Sequence, residues 1–211
     1  MKGILGLLRS KTLVNKPKDE STDSMLFSTA FAGQGVDDSM LVPWEARAVE
    51  VGAKRLPASR GGKLLQGLWA KDKYMAHLDK DAVERMERFF EFAAVPTNRD
   101  VIRQDEYGNF MVVLLTGTIA VDRVQPWGEQ LRLAETRPGD ILGEMSLLDS
   151  GIRFSACTTL TDCEIAVLSA EAMDDMMSKD PQLAASLIAL LARKLSLRLR
   201  VVSARLSDNQ K

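Results

Sequence analysis

From Ala94 to Leu168 the chain breaks into short apolar runs separated by turn residues, and this alternation restricts the fold more than any other feature. Asp100-Val101-Ile102-Arg103 gives way to the polar turn Gln104–Asn109. Phe110–Leu115 follows, then Thr116-Gly117-Thr118, Ile119–Arg123, the loop Pro126-Trp127-Gly128-Glu129 and the return Gln130–Thr136. After the turn Arg137–Asp140 come two further apolar segments, Ala156–Thr159 and Glu164–Leu168. About eight strands at this spacing imply a small antiparallel barrel or roll. Gly117, between two apolar runs, is expected to supply a backbone angle that other residues tolerate poorly.

Helical spacing brackets this region. Leu64, Leu65, Leu68, Trp69 and Met75 predict an amphipathic helix over Lys63–His77. Asp79–Phe92 predicts a second, capped by Asp79 or Asp81 and carrying Val83, Met86, Phe89 and Phe90 on its apolar face. Ser169 caps the helix after the last strand, and Asp180-Pro181 opens a long final helix. That helix has two apolar stripes: Leu183, Leu187, Leu190, Leu197 and Val201, then Ile188, Leu191, Leu195, Val202 and Leu206. One stripe is expected against the roll, the other against a second copy of the helix. Arg193, Lys194, Arg198, Arg200 and Arg205 between them are expected to form a solvated face. The fold class is therefore α+β, mainly β: a jelly-roll-like antiparallel β-roll of about eight strands, flanked by N-terminal helices and a long C-terminal helix. Boundaries are set at 1–61 for a flexible or partner-docking extension and 62–211 for the domain, with helices 62–92, roll 94–168 and C-terminal helices 169–207.

The totals exclude several classes. With 28 Lys plus Arg against 29 Asp plus Glu, net charge gives no reason for a polyanionic partner. Cys157 and Cys163 lie in apolar runs and read as buried thiols. His77 is the single histidine, so no metal-ligand spacing exists; it reads as a surface or interhelix residue. No apolar run is long enough to span a bilayer. Residues 1–16 form a short basic amphipathic stretch with three competing readings: a loose tail, a docking peptide or a membrane-surface anchor. Pro17 to about Met40 reads as linker. Arg60-Gly61-Gly62-Lys63 lacks the spacing of a phosphate loop.

One stretch carries chemistry. Residues 139–157 read Gly-Asp-Ile-Leu-Gly-Glu-Met-Ser-Leu-Leu-Asp-Ser-Gly-Ile-Arg-Phe-Ser-Ala-Cys. Gly143 lets backbone approach a ligand, and a short helix from Glu144 leaves first-turn N–H groups free for an anion. Glu144 can accept hydroxyl hydrogen bonds, and Arg153 offers a fixed positive fork. A ligand with a phosphate and a sugar hydroxyl satisfies these features together.

This stretch resembles the phosphate-binding cassette of the cyclic-nucleotide-binding domain family, with Gly143, Glu144, Leu147, Leu148, Gly151 and Arg153 matching. The order of apolar strand, Gly117, apolar strand, Pro138-Gly139-Asp140 and Gly143-Glu144 extends the resemblance over about residues 78–206. Phe154 stands where the family has a hydroxyl, with Ser155-Ala156 after it. A one-residue slip would instead set Phe154 at the arginine position; the first register is preferred because it runs without a gap into Asp162–Ser169. The resemblance implies a site of Gly143, Glu144, Met145, Ser146, Arg153, Phe154, Ser155 and Arg198. It implies cyclic AMP as ligand, ahead of cyclic GMP, with no further cofactor. Glu144 would hold the ribose 2′-hydroxyl. Arg198 lies where the family contacts the base and could stack on it; Leu199 is its neighbour, and the Thr-Ser pair of the catabolite activator protein is absent. The final helix would be lid and homodimer seam. Five residues follow Leu206, too few for a helix-turn-helix reader, so a sensor without nucleic-acid contact is expected. Output would pass to an unidentified protein partner in the cytoplasm. The alternative is a roll that has lost its ligand and serves as an interaction or dimerisation module, with Phe154 filling the pocket. No nucleophile–base pair suggests an enzyme.

Overall fold

The computed structural model describes residues 25–76 and 78–208. The readings of residues 1–16 and of His77 fall outside them, as does the start of the expected linker. Among the described residues the strands are β1 (Lys54–Arg55), β2 (Glu91–Val95), β3 (Asp100–Ile102), β4 (Phe110–Thr116), β5 (Ile119–Val124), β6 (Gln130–Glu135), β7 (Ile141–Leu142), β8 (Ala156–Thr159) and β9 (Cys163–Ser169). They form a five-stranded sheet, ordered β1-β2-β9-β4-β7, and a four-stranded sheet, ordered β3-β8-β5-β6. All named pairings are antiparallel. The expected mainly-β roll is the fold found.

Strand β4 explains the continuous apolar runs. Side chains alternate across a strand, and both faces of β4 are buried. Met111, Val113 and Leu115 join a core under the helices, while Phe110, Val112 and Leu114 fill the inside of the roll. Its neighbour β9 divides in the same way, with Ala166 and Leu168 on the helix side and Cys163, Ile165 and Val167 inside. Gly117 has φ +90°, and a Cβ there would meet the Asp162 carbonyl oxygen at 2.6 Å, so the β4–β5 turn requires glycine.

The helix side is made by α3 (Ala58–Trp69), α4 (Lys80–Glu87), α6 (Ala170–Lys179) and α7 (Pro181–Asp208). Asp79 accepts a hydrogen bond from the Ala82 N–H at 2.7 Å, and Ser169 from the Ala172 N–H at 3.1 Å. Two expected boundaries are corrected. The first of these helices starts at Ala58 and ends at Trp69, and α4 ends at Glu87. Phe92 belongs to β2, where it pairs with Ala166. The spacing of Phe89, Phe90 and Phe92 suits either period, and the ladder to β9 decides it.

The expected extension over 1–61 is also corrected wherever it is described. Residues 25–61 are packed on the roll. They form α1 (Ala30–Gly33), a single 3₁₀ turn (Asp38–Met40), α2 (Trp44–Val51) and β1 before α3 begins. Phe27 and Leu56 join the helix-side core, and Trp44 and Val51 the roll core. Asp174 of α6 accepts the N–H groups of Phe27 and Ser28, each at 2.8 Å, and the Ser28 hydroxyl at 2.7 Å. Arg47 is buried and pairs with Glu50 and Glu106, and Arg103 also pairs with Glu50. These apolar residues stand too far apart in sequence to show a period, so the stretch up to about Met40 reads as linker until its partners are in place.

Candidate functional site

The cassette is positioned from both ends. Asp140 closes the turn before it, its carboxylate accepting the Arg137 N–H at 2.9 Å. Ile141 and Leu142 then pair as β7 with Val113 and Val112 of β4. Gly143 follows with φ +75°, and a Cβ there would lie 2.6 Å from a guanidinium nitrogen of Arg153 and 2.8 Å from Ile102. Only glycine fits that contact. The short helix α5 (Glu144–Asp149) starts from it and ends at Ser150 in a left-handed conformation. Gln34, in the packed N-terminal segment, donates to the Asp149 carbonyl at 2.6 Å.

Arg153 and Gly143 meet as expected, but in a different role. The Arg153 Nη1 donates to the Gly143 carbonyl at 2.7 Å and Nη2 to the Phe110 carbonyl at 2.6 Å. The guanidinium also lies 4.7 Å from the centre of the Phe110 ring. It is 3 % exposed, and burial pulls its pKa down to about 10. Arg153 thus braces the glycine turn against β4. Cys157 lies close by; burial pushes its thiol up to about 12, and both cysteines are free and buried.

Glu144 and Arg198, 54 residues apart in the chain, are brought together. Arg198, on α7, pairs through Nη1 with Glu144 Oε1 and donates through Nη2 to the Ile141 carbonyl at 2.8 Å. Glu144 is 4 % exposed. Burial drives its carboxyl above the ordinary carboxylate range, against the opposing attraction of Arg198 and Arg153. Arg198 is thus an ion-pair partner of the cassette. Lys194, one turn earlier, is half-buried and pairs with Asp72 at 3.3 Å. The final helix is therefore tied by charge to the cassette and to the residues after α3.

The remaining expected residues are spread around this centre. Ser146 is buried in α5, Met145 is exposed, and Ser155 is half-buried just before β8. Phe154 does not fill the roll: it is 50 % exposed. Its ring lies 4.0 Å beneath the guanidinium of Arg123, which also donates to the Phe154 carbonyl. Arg123 was not singled out in the sequence. The available signal was its place two residues beyond Val121 and four beyond Ile119, on the strand face that points into the roll. Among the described residues no cluster of His, Cys, Asp and Glu could hold a metal ion, and no helix is long and apolar enough to cross a membrane.

What the arrangement offers is a buried carboxylate whose partner arrives from a separate helix. A hydroxyl donor reaching Glu144 competes with Arg198 and so acts on α7 directly.

Comparison with known proteins agrees with this geometry. The family described as the cyclic nucleotide-binding domain matches residues 93–180. The Cyclic AMP receptor protein of Thermus thermophilus is 30% identical over 118 residues, which cover 56% of this chain and 55% of the relative. The CRP-like cAMP-activated global transcriptional regulator of Mycobacterium tuberculosis is 25% identical over 118 residues, covering 56% of this chain and 53% of the relative. The chain spans about half the length of these curated relatives. Among solved structures, a cyclic nucleotide-binding domain from Methylobacillus flagellatus superposes with a TM-score of 0.67 at 23% identity, covering 72% of this chain and 86% of that one. The Thermus thermophilus catabolite activator protein gives 0.55 at 28% identity, covering 63% of each chain. The match to the cyclic nucleotide-binding domain family thus covers residues 93–180, the stretch from β2 through the roll and the cassette into α6.

Proposed function

We propose that this chain is a non-enzymatic cyclic-nucleotide sensor that binds cyclic AMP at the cassette and signals through α7 to a protein partner. The observation that carries the reading is the Glu144–Arg198 pair, which joins the cassette to the final helix. A ribose hydroxyl donating to Glu144 releases Arg198, and α7 loses one of its ties to the roll. The ligand's free energy thereby becomes a shift in the position of α7. The two curated relatives named above are a cyclic AMP receptor and a cAMP-activated regulator. Phe154 lacks the hydroxyl that would help hold a guanine, which favours cyclic AMP over cyclic GMP. In this reading the exposed end of α7 carries a homodimer contact.

A second reading, a ligand-free interaction module, is favoured by one observation. Both terminal nitrogens of Arg153 already donate to main-chain carbonyls. Thermal unfolding with millimolar cyclic AMP and cyclic GMP separates the two. A ligand at 100 times its dissociation constant stabilises by about 2.7 kcal/mol. The sensor reading expects such a shift with cyclic AMP, and its loss in Glu144→Ala. No shift with either nucleotide would leave the interaction module. Arg153→Ala is a poor test, because it strands two buried carbonyls and weakens the fold itself.

A further inference from the structure

We infer that Arg123, held flat on Phe154, is the residue that meets the ligand's anionic group in this chain. The inference rests on the nucleotide-binding reading and names the group that would carry its phosphate contact.

Arg153 is poorly placed for that contact. Its Nη1 and Nη2 each give one N–H to the Gly143 and Phe110 carbonyls, and it is almost fully buried. Its remaining N–H groups are enclosed with it at 3 % exposure, so an anion reaching them must displace the side chains that cover it. Arg153 supplies charge near the cassette and fixes its turn, but an arriving phosphate needs a donor that is accessible.

Arg123 has that property. On β5 it continues the inward row begun by Ile119, which is fully buried, and Val121, which packs against the roll core. It pairs across the sheet with Leu131 on β6. Its guanidinium covers the Phe154 ring at 4.0 Å and donates to the Phe154 carbonyl. It is half-buried, and no carboxylate pairs with it among the described residues. A cation over an aromatic face keeps its full charge while its orientation is fixed. The planar fork retains donors that the Phe154 carbonyl does not use, and a phosphate can take two of them at once. Phe154 therefore does more than remove a hydroxyl. It provides the platform that orients a substitute donor, one residue along from Arg153.

The test is calorimetric titration of cyclic AMP, combined with side-chain ¹H–¹⁵N resonances of the arginines in the full chain. Arg123→Gln is expected to weaken cyclic AMP by more than about tenfold, with Arg123→Lys recovering part of the loss. Phe154→Leu should weaken it by less. Arg200→Gln, an exposed cation on α7, should leave affinity unchanged. In the wild type the Arg123 Nε–H resonance should move on titration. If the wild type binds and Arg123→Gln retains its affinity, the inference is overturned while the sensor reading stands. If the wild type binds neither nucleotide, the sensor reading fails, and Arg123 is judged with inorganic phosphate. A displacement of its Nε–H that is lost in Phe154→Leu supports the anion contact, and an unmoved resonance overturns it.

Discussion

The two halves of α7 have similar composition and opposite surroundings. From Leu183 to Leu191 the helix is core: Leu183, Ala184, Leu187, Leu190 and Leu191 are all 3 % exposed or less. Beyond Arg198, the residues Leu199, Val201, Val202 and Leu206 are between 52 and 66 % exposed. The sequence suggested a division by face, one stripe inward and the other toward a second copy. The division is instead by length, and it falls at Lys194 and Arg198, the two cations that pin the helix to Asp72 and Glu144. The first half is held by burial, which no ligand reverses cheaply. The second half depends on a charge pair, which a ligand can replace.

The largest effect that would break this comparison lies in the first half. Leu187→Ala should cost about 2–5 kcal/mol through lost contacts and a residual cavity, whereas Val202→Ala should stay within about 0.5 kcal/mol. Denaturant midpoints decide this, and equal losses would abolish the distinction. For the same reason Leu191→Asp, on the second apolar stripe of the helix, is expected to unfold the domain.

The junction gives a smaller, pH-dependent effect. Burial raises the folded Glu144 pKa above its unfolded value. The folded state therefore holds a proton where the unfolded state has released it. Stability from this group is fully present below the unfolded carboxylate value of about 4.3 and declines as pH rises through the higher folded value. Arg198→Ala removes an attraction that favours the charged carboxylate, so the decline should steepen and reach higher pH. The variant should be less stable than wild type at neutral pH, and the gap should close in acid. Glu144→Gln should flatten this component. Urea titrations across pH check the order, and a gap that is constant with pH would contradict it. The smallest effect on stability belongs to Val202→Asp with Leu206→Asp. The unfolding midpoint of the isolated chain should hold, while light scattering shows weaker self-association; a mass unchanged by the substitutions would remove the dimer contact from the far half.

Much of the fold was legible because the roll strands are local apolar runs bounded by turn residues. Phe110–Thr116, Gly117 and Ile119–Val124 show this most directly. The cassette was legible as far as the Gly143 turn and the short helix from Glu144. What local pattern could not convey was which partner a long polar side chain selects. Arg153 had the spacing of a ligand clamp, but its donors found carbonyls of Gly143 and Phe110, and the latter lies 43 residues away. Arg47, within the expected extension, is buried against Glu106. Phe154 was weighed as a plug, yet its position follows from Arg123 on a neighbouring strand. Phe27 was lost in an apparent linker and Trp44 in the expected extension because their contacts are long-range, to Asp174 and Phe110.

The most direct test of the central claim, that ligand at Glu144 frees Arg198 and with it the far half of α7, is amide hydrogen exchange with and without cyclic AMP. The account expects altered protection from about Lys194 to Leu206, together with the cassette, and unchanged protection from Leu183 to Leu191. Exchange that changes only in the cassette, or nowhere, would contradict it.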